Sequence, residues 1–301
     1  MKFFGILPAD KRQMKAKLFR LPDGEEENLS RDFREEIRNF LDREHKPFDP
    51  GYKREDDEVF TIRPFSLPEF LTYAAQNWHS CGDIRRGEVK PQSVKAIVGV
   101  AYENMRAGSP PTIDVAAFKA LDRSKVFDAS RRILEWEQDT FVRRPNPSLV
   151  VPDGLDAVYE RETLFFNTFR TTNGFLDLTA EFKELTNEAV QGVLDDVEWL
   201  SYQDDEVPLE KVLNQTNRRL FSLIKATEDF SDLKLDMIKA KACEIDFPLT
   251  TGGDGDNKVI LLPSTPGEMK NHLEFLLQRF YPGIFDGKLR RANSAEIVGR
   301  Q

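Results

Sequence analysis

The chain has 301 residues, 40% hydrophobic and 32% charged, with a formal net charge of −9, enough for one large domain or two ordinary ones around a buried core. The negative balance argues against a uniformly basic nucleic-acid binder. No run approaches the roughly 18 apolar residues of a membrane span, and Met1 to Pro22 lacks the apolar region and cleavage site of a secretory signal. The spacing of Phe33, Ile37, Phe40 and Leu41 predicts a helix over Leu29–Glu44, capped by Asn28 or Ser30. Lys46–Asp57, with Pro47, Pro50 and Gly51, reads as a charged loop. A short strand at Val59–Arg63 stops at Pro64, and Leu67–Trp78 forms a helix with Pro68 in its first turn. His79–Ser93 is polar and reads as a loop. The β-branched run Val94–Tyr102 is the clearest strand of the N-terminal region, and Gly108–Pro111 breaks the chain after it.

Further short strands are expected at Lys125–Asp128, Ile133–Trp136 and Thr140–Val142, followed by a break over Pro145–Pro152. Leu155–Tyr159 and Thr163–Phe166 flank the charged tip Glu160-Arg161-Glu162 and read as a β-hairpin. From Leu178 the character changes: Leu178, Phe182, Leu185, Ala189, Val193 and Val197 recur at helical spacing, as on an amphipathic helix. Helices over Leu209–Ala226 and Leu233–Cys243 follow. Strands at Glu244–Leu249 and Lys258–Leu262 are joined by the Gly/Asp loop Thr250–Asn257. A helix over Thr265–Phe280 and a hairpin from Lys288–Ala292 and Glu296–Val298 complete the chain. The fold class is α+β: a mixed N-terminal region over 1–112, then a β-rich and finally helical domain over 113–301.

No arrangement of residues announces a side-chain-catalysed reaction. His45, His79 and His272 stand in unrelated contexts, none beside a recognisable nucleophile. His79-Ser80-Cys81 lacks the second ligand pair that a zinc site needs. Cys81 and Cys243 have no paired spacing, which predicts free thiols in a reducing compartment. Thr250–Asn257 matches neither a phosphate loop nor a calcium loop. Asp83 followed by Glu88-Val89-Lys90 fits the Asp…Glu-x-Lys formula of metal-dependent nucleases, but so charged a chain also supplies Glu181-Phe182-Lys183 and Glu268-Met269-Lys270. No catalytic residue, metal ligand or cofactor is therefore assigned.

Charge is unevenly placed. Asp153 to Glu210 holds 15 acidic and 3 basic residues, whereas Met1 to Pro22 holds six basic and one acidic. An acidic protein binds phosphate through a local patch, because the field at the site decides affinity. The paired arginines supply candidates for DNA contact: Arg131 and Arg132, Arg143 and Arg144, Arg218 and Arg219, and Lys288 with Arg290 and Arg291. Arginine suits phosphate because its planar fork donates two parallel hydrogen bonds. A solvated surface, or pairing with the acidic stretch, is the bland alternative at each.

The C-terminal two-thirds carries a resemblance. In order stand Val126-Phe127-Asp128, Leu155-Asp156-Ala157-Val158-Tyr159 and Thr163-Leu164-Phe165-Phe166-Asn167, followed by an amphipathic helix with Phe175 and Phe182, the strand Lys258–Leu262, a helix to Phe280 and the tail Arg290–Val298. From Val94 to Gln301 this succession resembles the KwaB proteins of the Kiwa bacterial anti-phage defence system. The resemblance implies a non-catalytic, DNA-binding effector that interferes with phage DNA replication or late transcription. It implies a membrane partner subunit resembling KwaA, and so a cytoplasmic protein held at the inner face of the membrane. A homo-oligomer is expected, because assembly multiplies phosphate contacts. The motifs carry no diagnostic catalytic residue, and the acidic net charge departs from what broad DNA affinity favours. The alternatives are a metal-dependent nuclease using Asp83, Glu88 and Lys90, and a protein-only scaffold with a Phe-rich surface.

Overall fold

The computed structural model describes residues 1–10, 13–84, 93–104, 111–121, 126–127, 134–137, 140–143, 148–227, 230, 232–254, 258–282 and 289–292. The fold is α+β, in two compact units: Met1–Phe48 with Arg54–Leu178, and Asp49–Lys53 with Thr179–Gln301.

The first unit contains β1 (Lys2–Asp10), β2 (Gln13–Leu18), α1 (Asp23–Leu41), β3 (Glu44–Pro47), β4 (Glu58–Ile62), α2 (Glu69–Gln76), β5 (Ala96–Asn104), β6 (Thr112–Ala120), β7 (Val126–Phe127), β8 (Leu134–Glu137), β9 (Thr140–Arg143), β10 (Ser148–Leu149), β11 (Ala157–Glu160), β12 (Thr163–Phe166) and α3 (Phe169–Leu176). Eight of these strands form one sheet in the order β2-β1-β5-β6-β11-β12-β4-β3. Neighbours are antiparallel except β3 and β4. β7 pairs with β10, and β8 with β9, apart from this sheet. Because β5 and β6 are adjacent, the division expected at 112/113 falls inside one unit. The chain passes to the second unit after Leu178, where the helical period begins.

Both faces of the sheet are buried, which explains the heavy use of Phe. Directly paired residues point the same way, so Phe4, Val98, Phe118, Ala157, Phe166 and Phe60 form a continuous row across six strands. α3 covers this face through Phe175, stacked 5.5 Å from Phe118, and α2 through the Ala75 carbonyl, which accepts the Tyr102 hydroxyl at 2.9 Å. The opposite row, Phe3, Gly99, Ala117, Val158 and Phe165, receives Phe33 and Phe40 of α1. Phe3 and Phe33 meet edge to face at 5.2 Å. Gly99 permits that approach: a Cβ there would lie 2.9 Å from the Phe3 ring and 3.0 Å from that of Phe33. α1 begins six residues before the expected Leu29, without the expected Asn28 or Ser30 cap. Asp23, Glu25 and Glu26 occupy its first turn, where carboxylates favour the positive end of the helix dipole.

The second unit contains α4 (Thr179–Asp196), β13 (Leu200–Ser201), α5 (Leu209–Val212), α6 (Gln215–Lys225), α7 (Leu235–Glu244), β14 (Thr251–Gly252), β15 (Val259–Leu261), α8 (Pro266–Leu276), β16 (Phe280–Pro282) and β17 (Leu289–Arg291). Its core joins Val193 of α4, Phe221 and Ile224 of α6, Ile238 of α7, Ile260 of β15 and Leu273 of α8. Three expectations change here. The helix foreseen over Leu209–Ala226 is two, because the Asn214 side chain accepts the Asn217 N–H at 2.9 Å and starts α6 afresh. The strand foreseen at Glu244–Leu249 is instead the last residue of α7 and the turn that follows it. Asp246 takes φ +52°, and the Phe247 and Asp246 amides close on the carbonyls of Ala242 and Cys243, a left-handed C-terminal cap. The same closure, with Gln278 at φ +56° and Arg279 bonded to Glu274, ends α8 before the expected Phe280. β17 pairs with β16; Glu296–Val298, its expected partner, lies outside the described residues. Among the described residues no helix is long and apolar enough to cross a membrane.

Candidate nucleic-acid interface

The hairpin that carries the family resemblance forms as expected. β11 and β12 pair antiparallel from Ala157–Phe166 to Glu160–Thr163. Its turn is the two residues Arg161 and Glu162, with φ +46° and +63°, a mirror-image turn whose twist suits a tight hairpin. The polar residues at its open end are occupied within the fold. An Asp156 carboxylate oxygen accepts the Ala120 N–H at 2.8 Å. The Asn167 side chain donates to the Leu155 carbonyl at 2.8 Å and accepts from Arg43 at 3.0 Å, while Arg54 donates to its main-chain carbonyl. Asp156 and Asn167 are therefore sheet-end fasteners.

The paired arginines meet different fates. Arg131, Arg132, Arg144 and Lys288 lie outside the described residues. Arg143 ends β9 opposite Leu134, and Arg291 stands in β17 opposite Phe280. Arg290, opposite Tyr281 in the same strand, is exposed.

Arg218 is corrected as a DNA contact, because its side chain is only 2% exposed. Its guanidinium donates to Glu210 at 2.6 Å, Asn187 at 2.6 Å and Thr186 at 3.3 Å. It thus ties α6 to α4 and α5. Removing so anchored a cation from its partners to reach phosphate would leave the core open.

Its neighbour Arg219 lies on the exposed side of α6. It is exposed, and its Nε donates to the Pro50 carbonyl at 3.2 Å. Pro50 belongs to a short turn from Asp49 to Lys53 that the first half of the chain contributes to the second unit. The turn sits close on α6: a Cβ at Gly51 would lie 2.9 Å from the Ser222 carbonyl oxygen. Arg219 makes no other hydrogen bond or ion pair among the described residues. An exposed guanidinium bonded at Nε keeps its Nη donors, the groups that pair with a phosphate. Sequence reasoning named Arg219 but missed the turn beneath it. Pro50-Gly51 was the available signal, read only as a loop.

The other motifs take structural places. Asp83 pairs with Arg20 at 2.9 Å and bridges to Leu18, whereas Glu88 and Lys90 lie outside the described residues. Glu181 and Lys183 fall on α4, and Glu268 and Lys270 on α8, as expected. Glu268 accepts the Thr265 hydroxyl at 2.7 Å, and Thr265 caps α8 by accepting the Glu268 N–H. Burial raises the Cys81 thiol above its usual range, so this cysteine is poor in thiolate. Burial likewise lowers the His272 imidazole, against the opposing pull of the Glu268 carbonyl 3.0 Å from Nδ1. The second unit also has an apolar cleft of about 420 Å³ lined by Leu233, Met237, Ile238, Phe275, Leu276 and Phe280; Met237 is 60% exposed. Sequence reasoning missed this cleft, since its residues come from α7, α8, β16 and the segments beside them. Comparison with protein-family models, curated proteins and solved structures returns no match.

Proposed function

We propose that this chain is a DNA-binding subunit that acts by binding and assembly, an effector of the anti-phage kind that its hairpin resembles. The observation that supports it is Arg219, exposed on α6 and bonded within the fold through Nε to the Pro50 carbonyl. Arg290 on β17 adds a second exposed guanidinium in the same unit. Phosphate contacts of this type dominate affinity and are strongly salt-dependent. A homo-oligomer would repeat the arginines along a duplex or strand, offsetting the repulsion from a net charge of −9. A membrane partner would hold the assembly at the inner face of the membrane.

The test is a DNA-binding titration of the full chain at two salt concentrations, with magnesium present and product lengths checked. Binding that weakens steeply with salt, with DNA intact, is the expected result. Arg219→Glu and the double change Arg290→Glu, Arg291→Glu should each weaken it without unfolding the protein. Unchanged affinity at low salt in both variants would remove the assigned contacts, and cut DNA would promote a nuclease. The apolar cleft favours a second reading, a protein-only scaffold. It predicts stable association with a protein and no affinity for DNA at either salt.

A further inference from the structure

Independently of the DNA-binding reading, we infer that the apolar cleft of the second unit binds a small cationic amphiphile, an aliphatic or aromatic body that carries one amine or quaternary ammonium group. Seven of the ten residues that line the cleft are apolar, and its volume of about 420 Å³ falls in the range of about 300–1,000 Å³ usual for ligand pockets. Much of its lining is fixed by the core. Ile238, Phe275 and Leu276 are buried. Phe247 stacks on Phe275 at 4.4 Å and meets Phe280 at 5.4 Å, so a third ring holds both lining rings. Met237 stays exposed, a flexible and polarisable side chain of the kind that adapts to an irregular ligand.

The polar part of the lining sets the sign of the ligand. It consists of Lys241, Glu244 and Gln278. Lys241 donates to Glu244 at 2.6 Å, so the two formal charges offset each other. What remains is the end of two helices. α7 finishes at Glu244 and α8 at Leu276, and both residues line the cleft. Their carbonyls, the last of each helix, accept no hydrogen bond among the described residues. Helix C-termini carry partial negative charge, and each favours a nearby cation. Two phenylalanines in the lining act in the same direction, since aromatic rings attract cations. An apolar body gains from the cleft whatever its charge, but a carboxylate at its end would meet this field as repulsion.

The experiment titrates the full chain with N-phenyl-1-naphthylamine, a neutral apolar dye that brightens on leaving water, and then displaces it with decyltrimethylammonium or decanoate below their micellar concentrations. Saturable dye binding is expected. Decyltrimethylammonium should displace it at a concentration about 3- to 30-fold lower than decanoate, the preference that two helix ends supply. Met237→Ser, an exposed change, should weaken dye binding about 3- to 10-fold. Ile245→Trp fills the cleft from its half-buried edge and should abolish binding of both dye and decyltrimethylammonium. It leaves the net charge of −9 in place, so a loss there is not a loss of general attraction for cations. A thermal melt checks that each variant folds. Absence of saturable dye binding overturns the inference, as does dye binding that is equal in the wild type and both variants. Decanoate displacing as well as decyltrimethylammonium overturns the cationic class. DNA titrations are read separately: failure here leaves the DNA-binding reading standing, and failure of DNA binding leaves this inference standing.

Discussion

Arg218 and Glu210 form one ion pair with very unequal ends, 2% and 68% exposed, and that asymmetry makes a sharp prediction. Arg218→Ala removes two further hydrogen bonds, to Asn187 and Thr186, each worth about 1.5–3 kcal/mol when charged. It also empties the largest fully buried side-chain site, a truncation that costs about 2–5 kcal/mol for an apolar residue of similar size. Against this stands relief of a desolvated cation whose Nε has no partner among the described residues. The net expectation is a loss of about 3 kcal/mol. Arg218→Met refills the volume without the charge and should cost less than about 1.5 kcal/mol. Glu210→Ala should cost only about 1 kcal/mol, because water reaches the exposed end of the pair and replaces the carboxylate. Urea unfolding of the three variants, with DNA affinity measured in parallel, checks the order. The reasoning is refuted if Arg218→Ala leaves the unfolding midpoint in place while lowering DNA affinity, for then Arg218 is a surface contact.

Three other outcomes follow from local geometry. Replacing Arg161 and Glu162 by Asn and Gly should stabilise the hairpin by about 1–2 kcal/mol in urea unfolding, since both positions hold positive φ. Gly99→Ala should destabilise by about 1–2 kcal/mol, because the new methyl presses on the Phe3 and Phe33 rings; an unchanged midpoint would mean that α1 yields freely. His272 sets a pH dependence. Burial lowers its folded pKa below the unfolded value of about 6.5, so the unfolded chain takes up the proton first. Its contribution is fully present above about pH 6.5 and is lost as pH falls through the folded pKa. Urea midpoints at pH 7.5 and pH 5 should therefore differ more in the wild type than in His272→Phe, which keeps the ring beside Phe247.

What the sequence disclosed depended on whether a local pattern had one structural meaning. β5 was legible because its β-branched run is buried on both faces of the sheet. β1 is just as buried at Phe3, Phe4, Ile6 and Leu7, yet the lysines and arginines around it give Met1 to Pro22 the composition of a charged segment. β6 hid behind its alanines, which fit the sheet because Phe118 fills the row around them. Ile245, Phe247 and Leu249 alternate like a strand. The left-handed cap at Asp246 instead turns Phe247 back to stack 4.4 Å from Phe275. Such a cap depends on backbone closure and leaves little trace in residue type when its residue is not glycine.

The candidate site shows the same limit at the scale of two residues. As a doublet, Arg218 and Arg219 are equivalent charges. On a helix they are about 100° apart, and the phase of α6 separates them. Gln215, Thr216 and Arg219 share the exposed face, while Arg218 falls with Asn217, Phe221 and Ser222 on the buried one. That phase was readable, because Leu220, Phe221 and Ile224 mark the inward side. The partner of Arg219 was not, since Pro50 stands 169 residues away. A basic pair on an amphipathic helix is therefore best divided before function is assigned: the member in phase with the apolar residues holds the fold, and its neighbour is available to a ligand. Here that division leaves Arg219, exposed and bonded through Nε to the Pro50 carbonyl, as the member of the pair on which the DNA-binding proposal rests.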